Sequence, residues 1–250
     1  MKAPRKKPLQ PKRGKALRII AAAFASAVSI VIAFGLVTLI LPKALNPFVP
    51  LQPNDPIGPM TKWKLQGLAL DSAACRQFLK SAEVTYTEIP DRSEQGFCHI
   101  RDAIRMTSGG PPLYPNSPIM ACPVAAGLIL WQRHGLREAA RDMMGSSVTR
   151  IDHIGTYNCR RQYGRKTGWM SEHASANAID ITGFQFADGR KITVLEGWKV
   201  NGGQSTQVAN FLAKAQAQAC DVFKVVLGPE ANAAHENHFH FDMGPMASCR

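Results

Sequence analysis

HENHFHFD, residues 235–242, is the stretch from which the fold and the chemistry of this chain can be worked out. Side chains alternate between the two faces of an extended strand, so His238 and His240 would share one face and Phe239 and Phe241 the other. Imidazoles on one face and phenyl rings on the other are typical of a metal site backed by a hydrophobic core. A catalytic zinc ion takes three protein ligands and a water molecule, so the strand needs ligands from elsewhere.

The segment SEHASANAID, residues 171–180, supplies the other candidate ligands. His173 and Asp180 are seven residues apart, which in a helix is two turns and too far for one ion. On a loop that leads into a strand, small residues between them allow the chain to curl so that both reach one metal. Two imidazoles and a carboxylate, from His173, Asp180 and His240, leave a fourth position for water. This donor set predicts a hydrolytic zinc site that holds one ion.

The formal charge of +12 is concentrated at the N-terminus. Residues 1–18 contain eight basic residues and no acidic one, so the remaining 232 residues carry only +4. The basic charge therefore belongs to a tail and not to the folded part. We predict no nucleic-acid partner on this ground.

Residues 19–41 form an uncharged apolar run of 23 residues. At about 1.5 Å per residue a helix of this length spans a hydrocarbon core of about 30 Å. The apolar core of a cleavable signal peptide is shorter, about 7–15 residues, which favours an uncleaved anchor. Basic residues before the span predict a cytoplasmic tail over residues 1–18, a single pass through the inner membrane, and a periplasmic C-terminal domain.

All six cysteines lie beyond the span, and none has the spacing of a Cys-x-x-Cys motif. An even number in an oxidising compartment predicts three disulfides, although many pairings remain open from sequence alone. We expect neighbours to pair in order along the chain. The expected pairs are Cys75–Cys98, Cys122–Cys159 and Cys220–Cys249.

Residues 42–65 hold six prolines and few charges, which predicts a semi-rigid linker of polyproline type. The globular domain is expected over residues 66–250. Its composition predicts interspersed helices and strands with an antiparallel sheet, and therefore an α+β fold preceded by one transmembrane helix. The predicted helices are Ser72–Ser81 with Asp71 as its cap, Cys122–His134, Leu136–Met144 and Gln204–Gln218. The predicted strands are Val84–Ile89, Val148–Tyr157, Ala176–Thr182, Lys191–Leu195, Val222–Leu227 and Asn237–Phe241.

Three phrases of the sequence, YNCR, SEHASANAIDITGF and HENHFHFDMG, resemble the bacterial extensin-like C-terminal domain family. The pattern Ser-x-His-x-x-small-x-Ala-x-Asp, followed by a terminal His-x-His, also resembles the zinc D,D-peptidases of the LAS type. That group includes D-alanyl-D-alanine carboxypeptidases and dipeptidases and the penicillin-insensitive murein endopeptidases. The resemblance covers roughly residues 66–250. It implies an LAS-like fold, a zinc ion and peptidoglycan peptide stems as the substrate.

The resemblance also implies roles for single residues. His173, Asp180 and His240 would be the metal ligands, and His238 the base or electrostatic partner of the reactive water. His235 matches a third histidine of the murein endopeptidases, and Ser171 matches a serine that contacts the substrate. Arg160 would stabilise the developing oxyanion, with Arg161 as a near alternative. Asp242 and Glu236 are expected to have structural or supporting roles, and His99, His134 and His153 are assigned none.

Two positions depart from the pattern of these peptidases. Ala176 stands where the first motif usually has glycine, and Asn237 stands where the carboxypeptidases have a glutamate base. Because asparagine cannot accept a proton, base chemistry would fall to His238, as in the endopeptidases. The leading hypothesis is a zinc D,D-endopeptidase that cuts peptidoglycan cross-links. The alternatives are a non-catalytic peptidoglycan-binding module and a D,D-carboxypeptidase.

Overall fold

The computed structural model describes residues 13–94, 97–198 and 206–250. The chain divides into two compact units after Pro42. The first unit contains helix α1 (Arg13–Ile40), which is long and apolar enough to cross a membrane, although a signal sequence has the same properties. An apolar N-terminal helix is thus confirmed. Helix α1 includes residues 13–18 of the expected basic tail. Residues 1–12 of that tail lie outside the residues that the structure describes.

The second unit, Lys43–Arg250, mixes helices with sheets, as the α+β prediction requires. Its helices are α2 (Thr61–Leu70), α3 (Ser72–Ser81), α4 (Cys122–Leu130), α5 (Arg137–Ala139), α6 (Val194–Gly197) and α7 (Thr206–Ala219). Turns of π-helix at Trp131–Leu136 and Ala140–Met144 join α4 and α5 into one long helix. Short 3-10 turns occupy Gln162–Gly164, Glu172–Ser175 and Ala233–His235.

The strands of this unit form three sheets. They are β1 (Tyr86–Ile89), β2 (Arg92–Glu94), β3 (Cys98–Ile100), β4 (Ala103–Met106), β5 (Leu113–Tyr114), β6 (Ile119–Ala121), β7 (Val148–Gly155), β8 (Ala178–Phe186), β9 (Lys191–Thr193), β10 (Val225–Leu227), β11 (Phe239–Asp242) and β12 (Ser248–Cys249). The main sheet has the order β12-β10-β11-β8-β7-β5, with β9 paired to β8. Its central pairs are antiparallel, whereas β5 pairs with β7 and β10 with β12 in parallel.

The two helices predicted over Cys122–His134 and Leu136–Met144 are one continuous helix. Gly135 does not break it, because this glycine serves close packing: a Cβ there would lie 2.9 Å from Cβ of Gln218 on α7. The helix ends at Gly145, whose φ of 62° is the left-handed conformation that glycine adopts readily. The other predicted helices are confirmed within the described residues; positions 204 and 205 of the last one lie outside them.

Strand β8 runs through Gly183, where the sequence predicted its end. A Cβ on Gly183 would lie 2.5 Å from the carbonyl oxygen of Ile192 on β9. Glycine is therefore required here for the close approach of two paired strands and not for a turn. The hairpin from β8 to β9 is confirmed, with Gln185 opposite Lys191.

The proline-rich segment predicted as an extended linker over residues 42–65 packs onto the domain instead. Leu51 is buried in the main core, and Asp55 is buried and bonded by the Lys43 ammonium group at 3.0 Å. Helix α2 already begins at Thr61. Apolar side chains between the prolines find a partner surface, so residues 43–60 belong to the compact unit and are not a free spacer.

Three disulfides are present, as predicted, but two of the pairings differ from the expected order. The bonds join Cys75 to Cys122, Cys98 to Cys159, and Cys220 to Cys249. The last pair is confirmed, and it holds the terminal strand β12 next to α7. The expected pairs Cys75–Cys98 and Cys122–Cys159 are wrong because α3 packs against α4, which places Cys75 beside Cys122. By loop-closure entropy, each bond stabilises the fold by about 4 kcal/mol.

Strand β11 carries the alternation that its sequence predicted. Phe239 and Phe241 are fully buried, and the ring centroid of Phe241 lies 5.2 Å from Trp131 of the long helix and 4.9 Å from Phe223. His240, between the two phenylalanines, lies on the other face of the sheet. The core therefore backs the strand and leaves its imidazoles on the opposite face.

Candidate metal centre

The structure brings the three predicted metal ligands together. Asp180 on β8 and His240 on β11 are directly opposite each other in the antiparallel ladder. Oδ1 of Asp180 lies 2.8 Å from Nδ1 of His240 and 3.1 Å from Nε2 of His173. Each residue offers one ligand atom, and all three atoms lie within 4.8 Å of one another. Two nitrogens and one oxygen at this separation can bind a single ion.

A short turn places His173 beside the two strands. Ser171 precedes the 3-10 turn, and its Oγ accepts a hydrogen bond from the backbone N–H of His173 at 3.4 Å. The turn ends at Ala176, which has a left-handed φ of 54°. The LAS-type peptidases that the sequence motif resembles usually have glycine at this position, and for an L-residue the left-handed conformation costs about 1–2 kcal/mol. The chain thus curls between His173 and Asp180 as the small residues predicted.

Each ligand imidazole is held by an oxygen on its other nitrogen. Nδ1 of His173 donates to the carbonyl of Thr156 at 3.1 Å, and Nε2 of His240 donates to Oδ2 of Asp242 at 2.9 Å. Asp242 is fixed in turn, because its Oδ1 accepts from the N–H of Gly244 at 2.8 Å. Such oxygens orient metal-binding histidines and raise their basicity. Asp242 therefore lies where the supporting role expected from the sequence would require it.

The charged groups of the cluster shift one another's pKa values. Burial alone would raise the pKa of Asp180, but hydrogen bonds and charges from His173 and His240 outweigh it and hold that pKa far below its usual value. Burial alone would lower the pKa of His240, but Asp180 and Asp242 together raise it to about 9. Nearby, burial and the charge of Asp242 raise the pKa of Glu172, although a hydrogen bond from Asn177 opposes this. The cluster is a site where a cation is stabilised.

His238 faces the cluster, and Asn237 faces His238. Nδ1 of His238 lies 2.7 Å from Oδ1 of Asn237, which can only accept, so Nδ1 carries the proton. The other nitrogen, Nε2, then has a free lone pair and lies 3.6 Å from Oδ1 of Asp180. Burial lowers the pKa of His238, an effect that the charge of Asp180 opposes and those of His240 and Arg160 reinforce. The imidazole is therefore a neutral base beside the ligands.

His235 lies on the same side of the site. Its ring centroid is 5.2 Å from that of His238, and its Nδ1 lies 2.9 Å from Oδ1 of Asn232. Burial and the neighbouring histidines lower its pKa to about 4. Tyr163 lies edge-on to His235, with 6.3 Å between the ring centroids, and its hydroxyl accepts a hydrogen bond from Asn232.

The two candidate arginines have different surroundings. The positive charge of Arg160 acts on both His235 and His238, and its carbonyl accepts from the N–H of Ser171 at 3.1 Å. Arg161 instead donates to the carbonyl of Gly168 and stacks over the ring of Phe97 at 5.4 Å. Of the two, Arg160 is the one whose charge the structure places near the histidines.

Some contributors to the site were not found from sequence. The carbonyl of Thr156 holds His173, and no side-chain pattern signals a backbone acceptor. The sequence shows only that Asn237 and His238 are neighbours. The contact between their side chains depends on the tertiary structure. Tyr163 was missed because its loop carries no periodic pattern. The unassigned histidines His99, His134 and His153 stay outside the cluster; His153, for example, bonds the carbonyl of Asn116.

Comparisons with known proteins give one match. No curated protein and no solved structure matches the chain. A family described as "Extensin-like protein C-terminus" matches residues 73–250, which includes the whole candidate centre and all three disulfides. Because the match covers well over half of the chain, the protein belongs to the extensin-like C-terminus family.

Proposed function

We propose that this protein is a membrane-anchored, periplasmic zinc D,D-peptidase that hydrolyses peptide cross-links of peptidoglycan. The observation that supports it most is the convergence of His173, Asp180 and His240. Two imidazoles, each held by an oxygen on its other nitrogen, and one carboxylate are a donor set of catalytic zinc sites. The relationship to LAS-type peptidases, and hence the D,D-peptide substrate, is part of this proposal and rests on the sequence resemblance.

A zinc ion bound there would lower the pKa of a water molecule to about 7 and polarise the scissile carbonyl. The residues of the chain divide the remaining tasks. Nε2 of His238 accepts the proton of the attacking water and passes it to the leaving amine, because its other nitrogen is held protonated by Asn237. Arg160 supplies positive charge for the developing oxyanion. His235, which its low pKa keeps neutral, and Ser171 would contact the substrate.

Asn237 supports a second candidate, a peptidoglycan-binding module without turnover. This residue occupies the position of the glutamate base of the carboxypeptidases, so it also argues against a D,D-carboxypeptidase. Its contact with His238 supports the endopeptidase, since it leaves a base nitrogen directed at the cluster. The two candidates differ in turnover and not in metal content.

The location follows from the N-terminal helix. A basic tail before the apolar helix predicts that the N-terminus is cytoplasmic and that residues 43–250 face the periplasm. We therefore propose an inner-membrane anchor through residues 19–41. Protease added outside the inner membrane of spheroplasts should digest the C-terminal domain, and its protection there would refute this orientation.

The experiment for the activity uses the full chain in detergent and purified cross-linked muropeptides. We expect dimers to be converted to monomers, with loss of turnover after chelation and recovery with zinc. His240→Ala should abolish both zinc binding and cleavage, whereas His238→Ala should keep zinc and lose cleavage. His134→Gln, on the opposite face of the domain, should behave as wild type. Zinc binding without any cleavage would support the binding module, and cleavage that survives chelation and His240→Ala would refute the metal mechanism.

A further inference from the structure

Large apolar side chains are exposed on the second unit close to where the chain enters it. Helix α2 carries Trp63 and Leu70 on one face, and these side chains are 56% and 92% exposed. Phe48 is 61% exposed and lines the same groove as Trp63, which encloses about 250 Å³ between residues 47–52 and helices α2 and α3. Phe48, Trp63 and Leu70 are called the apolar surface below. Apolar side chains exposed singly are ordinary, whereas exposed groups of them mark interaction sites.

Gly67 keeps the groove of the apolar surface open. It lies between Trp63 and Leu70 on the same face of α2 and lines the groove. Glycine in a helix interior is less stable than alanine. Packing within the described residues does not require it, because a Cβ at this position would have no neighbouring atom within 4 Å. The groove is therefore left free for an occupant from outside the unit, at a cost to the helix.

The chain enters the second unit beside α2. The carbonyl of Lys43 accepts a hydrogen bond from the ammonium group of Lys64 at 2.9 Å. The carbonyl of Ala44 accepts from the N–H of Met60 at 3.2 Å, just before the helix begins. The first residues of the unit are therefore fixed to the helix that carries Trp63.

The apolar helix α1 ends only three residues before Lys43, at Ile40. An extended chain advances at most about 3.6 Å per residue, so chain length alone keeps Lys43 within about 11 Å of the end of α1. The headgroup region of a bilayer extends about 5–8 Å beyond the hydrocarbon core on each side. A bilayer that α1 spans is therefore within reach of α2. This step rests on the membrane anchor proposed above.

The side chains at this position suit the boundary between headgroups and acyl chains. Tryptophan is enriched at membrane–water interfaces, because its ring is apolar and its N–H is polar. Phenylalanine and leucine bury their side chains at the same depth. Lys62, the neighbour of Trp63, is half-buried and can extend its ammonium group to a lipid phosphate. The one acidic residue among residues 43–70 is Asp55, which is buried and paired with Lys43, so no exposed carboxylate of this segment opposes the contact.

We propose that the apolar surface inserts into the headgroup region of the bilayer that anchors the chain. The C-terminal domain then docks on the membrane at a second contact, in addition to its transmembrane helix. The bilayer is favoured over a second copy of the chain as the occupant, because the covalent link keeps the bilayer within reach of every molecule.

The experiment measures tryptophan fluorescence of the full chain in phosphatidylcholine vesicles that contain lipids brominated on their acyl chains. The chain has four tryptophans, none of them in α1, so insertion of that helix gives no signal of its own: Trp63, Trp131, Trp169 and Trp198. We expect brominated lipid to quench Trp63. The quenched part of the emission should be lost in Trp63→Phe and kept in Trp169→Phe, which removes a tryptophan that is even more exposed, at 84%.

A second pair of variants tests the surface without removing the reporter. Leu70→Ser should reduce the quenching of Trp63 and shift its emission to longer wavelength, because the surface inserts less deeply. Leu195→Ser makes the same change at an exposed position on α6 and should alter neither quantity. Both leucines are exposed, so the melting temperature should not fall in either variant.

Flotation of the vesicles separates this proposal from the anchor. A chain that floats with the vesicles while Trp63 is not quenched would overturn the docking and leave the anchor intact. A chain that does not float would refute both. Protection of Trp63 from aqueous iodide without quenching by brominated lipid would mean that protein covers the surface, and would also overturn the proposal.

Discussion

Asp242→Asn is the substitution that tests the metal centre most sharply without removing a ligand. Asp242 is buried and accepts from two donors, Nε2–H of His240 and the N–H of Gly244. An asparagine has one oxygen, so its NH₂ group must face one of these donors. One buried hydrogen bond is lost, which costs about 1–3 kcal/mol of folding stability. Loss of the carboxylate behind a ligating histidine weakens zinc by about 10–100-fold.

The assay is competition for zinc between the full chain and a chromophoric chelator at neutral pH, with thermal unfolding in parallel. At 1.4 kcal/mol per factor of ten, the expected loss of zinc affinity is about 1.4–2.8 kcal/mol. Asp221→Asn makes the same chemical change at an exposed position and should alter neither quantity. An unchanged zinc affinity in Asp242→Asn would refute the assignment of His240 as a ligand supported by Asp242.

Two other predictions concern proton competition and the core behind the site. Because the pKa of His240 in the metal-free protein is about 9, zinc must displace a proton from this histidine near neutral pH. The apparent Kd for zinc should therefore rise about tenfold for each unit that the pH falls below 9. A Kd that does not change with pH in chelator competition would contradict this prediction. Phe241→Ala removes a fully buried ring that packs on Trp131 and Phe223, so urea unfolding should show that the free energy of unfolding falls by about 3–5 kcal/mol. Phe97 is 66% exposed, so Phe97→Ala should change it little. A small loss for Phe241→Ala would mean that the core does not back the strand.

Much of the candidate site was predictable because its signals are local. Period-two alternation in HENHFHFD assigns phenyl rings and imidazoles to opposite faces, whatever the rest of the chain does. The small residues before Asp180 predict a tight curl, and Ala176 adopts the left-handed conformation that the curl needs. Asp71 predicts the start of α3 through its own side chain, which accepts from the N–H of Ala74 at 2.9 Å.

The features that sequence reasoning missed depend on contacts between distant segments. Gly135 and Gly183 fall just outside the elements predicted around them, yet both lie within continuous elements and serve close approach to a neighbouring one. The disulfide partner of Cys75 depends on how α3 packs against α4. The packing of residues 43–60 depends on an apolar surface made by other elements. The proline pattern of the segment does not predict that surface.

The sequence by itself determined the α+β class and the apolar N-terminal helix, since both follow from composition and short-range patterns. The family and the roles of the three candidate ligands came from the resemblance of its motifs to known families. Only the tertiary structure decided which nitrogen of each histidine faces the cluster, because Thr156, Asn237 and Asp242 set those orientations. It also decided that Phe48 and Trp63 line one groove. Hydrogen bonds and burial depend on which residues meet in three dimensions. The spacing of residues along the sequence predicts them only within a regular helix or strand.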